Sequence, residues 1–80
     1  MYKDVFELYD FIRIKNSNPR NEFEKKIFSD IYNAMNTGDF SSEVLGNIQM
    51  VASQKIRIKN LEDQTRAELT EILKYVKSVL

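Results

Sequence analysis

Six carboxylates stand in close pairs along this chain: Glu22 with Glu24, Glu62 with Asp63, and Glu68 with Glu71. Paired acids inside a helical bundle can hold two metal ions. That chemistry needs inward-facing Glu residues together with a Glu-x-x-His motif, and the sequence has no His. At helical spacing Glu68 and Glu71 flank an apolar stripe rather than sit in it. The expectation is therefore solvated helix faces and first-turn acids that answer the helix dipole. The zeros in the composition exclude more. With no Cys and no His, this sequence offers no disulfide, no Cys/His zinc site, no thiol nucleophile, no imidazole base and no Ser-His-Asp arrangement. The expectation is a non-enzyme without metal or cofactor.

Three other groups of residues could carry a function. Asp39-Phe40-Ser41-Ser42 places serines after an acid at a helix start, and in an acyl carrier protein such a serine bears phosphopantetheine. Carrier proteins have Asp-Ser-Leu, whereas Phe40 here separates Asp39 from Ser41, and carriers are strongly acidic where this chain is neutral. A helix cap at Ser41 explains the same residues. Lys55, Arg57 and Lys59 form the densest basic cluster and could dock a phosphate, an anionic lipid or an acidic loop; a solvated loop is the plainer reading. The aromatic residues, 5 Phe and 4 Tyr, exceed what the apolar stripes use. Phe6 and Phe11 lie on opposite flanks of the first helical segment, Phe28 and Tyr32 widen the arc of the second, and Met50 points away from its stripe. Either the core takes a wide arc, or Phe28 and Tyr32 offer a partner or dimer surface.

The elements that must position these residues follow from periodicity and punctuation. Eighty residues make one domain. Apolar residues repeat at helical spacing in four segments: Val5, Leu8, Tyr9 and Ile12; then Phe23, Ile27, Ile31, Ala34 and Met35; then Val44, Leu45, Ile48, Val51 and Ala52; then Leu69, Ile72, Leu73, Val76 and Leu80. Asn18 is placed to cap a helix whose first residue is Pro19. Asn36-Thr37-Gly38 marks a stop. Ser41 as cap would set Phe40 and Leu45 at hydrophobic-staple spacing, and Asn60 is placed to cap the last helix, with Asp63 three residues on. The spacing predicts helices near 3–14, 19–36, 41–55 and 61–79. Short connections make an all-α antiparallel four-helix bundle. Lys55-Ile56-Arg57-Ile58-Lys59 alternates like a strand but has no partner strand. It is expected as an extended connection, with Ile56 and Ile58 tucked under the bundle and the three cations outward.

Charge and hydropathy narrow the partners. Lys+Arg 12 balances Asp+Glu 12, so there is no excess of cations for sequence-independent nucleic-acid binding. The segment from Ser41 to Arg66 lacks the tight turn of a helix-turn-helix, and Leu61-Glu62-Asp63 would turn acids toward phosphates. No apolar run approaches the length of a bilayer span or a signal-peptide core, which leads to the expectation of a cytoplasmic protein, with peripheral contact at the inner membrane face compatible.

The order of features resembles a known family. Glu7-Leu8-Tyr9-Asp10-Phe11-Ile12 lies near the start, and Asn18-Pro19 follows in a polar loop. A charged amphipathic helix ends before Gly38-Asp39-Phe40, a third begins near Val44-Leu45, and Lys55-Ile56-Arg57-Ile58-Lys59-Asn60-Leu61 leads into a Glu-rich final helix. This resembles the immunity proteins of pediocin-like (class IIa) bacteriocins, especially the enterocin A immunity group. The resemblance covers most of the chain and rests on helix lengths and loop chemistry. It implies a cytosolic four-helix bundle that protects a Gram-positive cell from a pore-forming peptide. The implied partner is a membrane receptor of the mannose phosphotransferase type with its bound bacteriocin, engaged from inside. Specificity in that family tends to reside in the C-terminal half. That implies contact through the 55–59 connection and through Lys74, Tyr75 and Lys77 on the last helix. The sequence departs from many relatives in ending directly after that helix. The competing expectations are a small helical adaptor or phage-borne inhibitor, monomeric or weakly homodimeric through Phe28 and Tyr32, and a carrier modified on Ser41 or Ser42.

Overall fold

Asp4 starts the first helix. Its backbone is extended, and its carboxylate accepts a hydrogen bond from the Glu7 N–H at 3.0 Å. The Glu7 carboxylate in turn accepts from the N–H of Lys3, the residue before the cap, at 3.0 Å, so one orphaned helix donor is satisfied and the entering chain is fixed to the first turn. The structure, a computed structural model, describes residues 2–80. Four helices are present among them: α1 (Val5–Ser17), α2 (Glu22–Met35), α3 (Ser41–Lys55) and α4 (Asp63–Val79). They form the all-α antiparallel four-helix bundle that periodicity predicts, 32 × 22 × 21 Å in extent.

The boundaries correct several expectations, each for a local reason. Asn18 does not cap α2. It closes α1, its N–H donating to the Ile14 carbonyl at 2.8 Å, and Pro19 lies in the connection. Asn21 is the α2 cap, its side chain accepting from the Glu24 N–H at 2.9 Å. Asn21 and Glu24 have capping-box spacing, and that local hydrogen bond outweighs the preference of proline for a first helical position. Ser41 is the first residue of α3 rather than its cap. Phe40 occupies the cap position without a side-chain bond and is 68% exposed, so the staple to Leu45 is not formed. Asn60 does not cap α4. It adopts φ 63°, the left-handed conformation that Asn tolerates better than most residues, and turns the chain toward Leu61 and α4.

The 55–59 connection is not extended. Ile56 keeps helical backbone angles, and the N–H groups of Ile56, Arg57 and Ile58 donate to the carbonyls of Ala52, Gln54 and Lys55. With no partner strand, these donors turn back on the last carbonyls of α3, which are themselves orphaned. Ile56 and Ile58 do pack against the core, as their spacing suggests.

The helices pack in chain order, α1 on α2, α2 on α3 and α3 on α4. The core draws Leu8 and Ile12 from α1, Ile27, Phe28 and Ile31 from α2, Leu45, Ile48 and Ala52 from α3, and Leu69, Ile72, Tyr75 and Val76 from α4. Phe23, predicted on the α2 stripe, is 43% exposed, whereas Glu24 is fully buried, as are the stripe residues Ile27 and Ile31 and the flanking Phe28. Backbones approach less closely at the α1–α4 seam, and side chains span it: Tyr2 meets Tyr75 edge-on at 5.6 Å, and Lys15 reaches Glu68 at 2.8 Å. No helix of the described residues is long and apolar enough to cross a membrane.

The two glycines should respond oppositely to alanine. A Cβ at Gly38 would lie 2.9 Å from the Val44 backbone nitrogen, so Gly38→Ala must shift the α2–α3 turn and should destabilise by about 1–2 kcal/mol. Gly46 lies inside α3 with nothing within 4 Å of an added Cβ. Gly46→Ala should stabilise by about 0.5–1 kcal/mol through helix propensity. Thermal denaturation of both variants checks the signs.

Candidate functional site

The eight residues predicted to meet a partner separate into three groups. Phe28 and Tyr75 belong to the core, so neither offers contact area. Burial of Phe28 also removes it from the proposed dimer face, and its partner there, Tyr32, is half-buried against the same core. Lys55 does not point outward. Its ammonium pairs with Asp30 of α2 at 2.6 Å and its side chain is only 19% exposed, because Lys55 falls on the apolar stripe of α3 and needs a counter-charge there. Arg57, Lys59, Lys74 and Lys77 are exposed and enter no ion pair among the described residues. They do not form one patch. Arg57 and Lys59 lie in the α3–α4 connection, whereas Lys74 and Lys77 lie about 16–21 Å along α4 from its first residue. Ser41 and Ser42 are both exposed in the first turn of α3.

Antiparallel packing brings the start of α1, the α2–α3 connection and the end of α4 to the same end of the bundle. Phe6, Phe40, Val79 and Leu80 at this end are all exposed.

At the opposite end the structure assembles a charged cluster that periodicity did not reveal. Glu24 is fully buried. Its Oε1 accepts from the Arg20 backbone N–H at 3.0 Å and lies 3.4 Å from Lys15 Nζ, and its Oε2 accepts from Arg20 Nε at 2.8 Å. Arg20 also donates to Thr65 Oγ1 of α4 at 3.2 Å, while Asn21 Nδ2 donates to Glu62 at 2.8 Å. Burial alone would raise the Glu24 carboxyl. The hydrogen bonds from Arg20, with the charges of Lys15 and Arg20, outweigh that and hold it below its ordinary range. The cluster joins α1, the α1–α2 connection, α2 and α4, and serves as a clamp. A signal was present in the sequence: Glu24, Phe28 and Ile31 have the spacing of one helix face, and Arg20 precedes Glu24 by one turn.

Between this clamp and the Tyr2–Tyr75 contact, the α1–α4 seam opens into a cleft of about 300 Å³ lined by Tyr2, Phe11, Glu68 and Glu71. Tyr2 and Phe11 are tilted against each other at 5.7 Å. Lys15 Nζ bonds Glu68 Oε2 at 2.8 Å and sits 5.8 Å from the Phe11 ring centroid. Glu68 Oε1 is buried without a hydrogen-bond partner among the described residues. Glu71 enters no ion pair among them. Burial, then the negative charges of Glu71 and Glu68, push the Tyr2 phenol far above its ordinary value, so it remains a neutral hydroxyl. Among the described residues no group of His, Cys, Asp and Glu is placed to hold a metal ion. Comparison with protein-family models, curated proteins and solved structures finds no match to the chain.

Proposed function

We propose that this chain is an immunity-type binding protein that protects a cell against a pore-forming class IIa bacteriocin. It would engage the mannose-phosphotransferase-type receptor with its bound peptide from the cytosolic side. The resemblance in the order of helices and loops motivates the reading, and the four-helix bundle is compatible with it. The observation that carries it furthest is the set of cations in the C-terminal half that are exposed and enter no ion pair among the described residues, Arg57, Lys59, Lys74 and Lys77. Cations on a protein rim steer it toward an acidic partner or an anionic inner leaflet. Lys74 and Lys77 are the better docking pair, because exposed Val79 and Leu80 follow them on the same helix end and add apolar contact area.

The test is protection. A sensitive Gram-positive strain expressing the chain should show a raised inhibitory concentration for at least one peptide of a class IIa panel. Lys74→Glu with Lys77→Glu should remove most of that protection, and Arg57→Glu with Lys59→Glu should remove less. Unchanged sensitivity to every peptide, with folded protein present in the cells, would overturn the reading. A helical adaptor would then lead, because Phe6, Phe40, Val79 and Leu80 expose apolar surface at one end of the bundle.

A further inference from the structure

We infer that one end of the bundle, formed by the start of α1, the α2–α3 connection and the end of α4, is a twofold interface with a second copy of this chain. The inference does not rest on the immunity reading. It also differs from the dimer face expected at Phe28, which burial closes.

The first observation is apolar surface gathered at one place. Phe6, Phe40, Val79 and Leu80 are exposed at this end. Together they present about 450 Å² to solvent, the size at which a patch on a small domain marks an interaction site. Two of the four are phenylalanines, whose rings dominate contact energetics where they are covered. The end measures 22 × 21 Å in cross-section. An identical end covers it completely, and the two together bury about 1,000 Å², the lower limit for a specific interface.

The second observation is charge that a single chain leaves unspent. Asp39 and Glu43 beside Phe40, and Lys77 beside Val79 and Leu80, are exposed and enter no ion pair among the described residues. α3 and α4 pack together and run antiparallel, so the start of α3 and the end of α4 are neighbouring corners of this end. One corner carries a ring and two acids. The other carries two aliphatic side chains and a cation. A twofold axis passing between the corners lays each on its complement in the second copy. Phe40 then covers Val79 and Leu80 of the second copy, and Lys77 faces its Asp39 and Glu43. Each contact is made twice. The same axis sets the start of α1 over the end of α2, where Asn36 and Thr37 are uncharged, so Asp4 and Glu7 meet no carboxylate there. A net charge of zero leaves no overall repulsion between copies. Dimerisation and receptor docking would compete for Lys77, Val79 and Leu80.

The experiment is sedimentation equilibrium of the full chain. A monomer–dimer equilibrium is expected, with a dissociation constant on the order of 10–100 µM for so small an interface. Phe40→Ser, Lys77→Glu and Glu43→Lys should each weaken the dimer at least about tenfold and leave the chain folded. Lys77→Glu combined with Glu43→Lys should recover most of the lost affinity, a rescue that neither a folding defect nor a generic apolar contact produces. Met50→Ser, exposed midway along α3, should change nothing. A chain that stays monomeric at about 1 mM, well above the expected constant, would overturn the inference and leave the apolar end to a different protein. A dimer insensitive to Phe40→Ser would overturn it in favour of another face. A double reversal no better than the single ones would overturn the pairing of the α3 and α4 corners. The measurement uses the purified chain, so its outcome is independent of protection in cells.

Discussion

Phe28→Ala is expected to destabilise the chain by about 4 kcal/mol. Phe28 is fully buried at the centre of α2, and its ring meets Phe11 edge-on at 5.9 Å. Truncation removes that contact and leaves a cavity between helices that cannot close without moving α1. A domain of 80 residues has a total stability of about 4–12 kcal/mol, so the variant should lose between a third and all of it, with a correspondingly lower unfolding midpoint. Phe6→Ala is the control. Phe6 is 70% exposed, and its loss should change stability by no more than about 0.5 kcal/mol. Urea unfolding followed by circular dichroism measures both. A Phe28→Ala chain that stays folded with less than about 1 kcal/mol lost would show that Phe28 is not in the core. Any loss of function in Phe28→Ala is accordingly a loss of fold, and the same substitution cannot be used to map a partner surface.

Glu24→Gln tests the clamp. Removing the charge leaves Lys15 with Glu68 alone and Arg20 with only the partly solvated Glu62. Breaking a buried pair from one side typically costs about 3–5 kcal/mol. The side chain of Arg20 is 35% exposed, and water at that edge screens part of the effect, so the expected loss is about 2–3 kcal/mol at pH 7. The pH dependence carries a sign that structural disruption alone would not. The Glu24 carboxyl titrates below its ordinary value of 4.5 in the folded chain, so folding favours its ionised form. The stabilisation is therefore fully present above about pH 4.5 and is lost as the pH falls through the lowered folded value. Melting temperatures of the parent and the variant should converge on acidification below pH 4.5, because both then carry a neutral side chain at position 24. Curves that stay parallel through that window would show that Glu24 is not ionised in the folded clamp.

How far the fold could be read in advance depended on the range of the interactions involved. The helical stripes predicted all four helices, the short connections predicted their antiparallel order, and α3 was legible to both ends. Caps were legible only as a set of competent residues. Asn18, Asn21, Ser41 and Asn60 can each serve, and which one does depends on hydrogen bonds settled by neighbouring turns. The strand-like alternation at 55–59 misled for a related reason, since period-two spacing specifies a strand only where another strand is available to pair.

The site was less legible. Apolar periodicity leaves charged residues facing solvent, which placed Glu24 outside and Lys55 among free cations. The excess of aromatic residues left Phe28 open between a wide core arc and an interface, and only the family resemblance placed Tyr75 on a contact surface. Composition and periodicity by themselves determined the class of architecture, the absence of Cys and His chemistry and the segments that become helices, because those depend on residue counts and on contacts within a turn or two. Only the tertiary structure decided that Glu24 pairs with cations from two other segments, that Lys55 belongs to Asp30, and that Tyr2 and Phe11 share a cleft with Glu68 and Glu71. Lys55 and Asp30, and Tyr2 and Phe11 with Glu68 and Glu71, are far apart in the chain, and even for Glu24, whose partners Lys15 and Arg20 are near in sequence, whether a charge is buried, paired or free depends on what the facing elements carry at the same height.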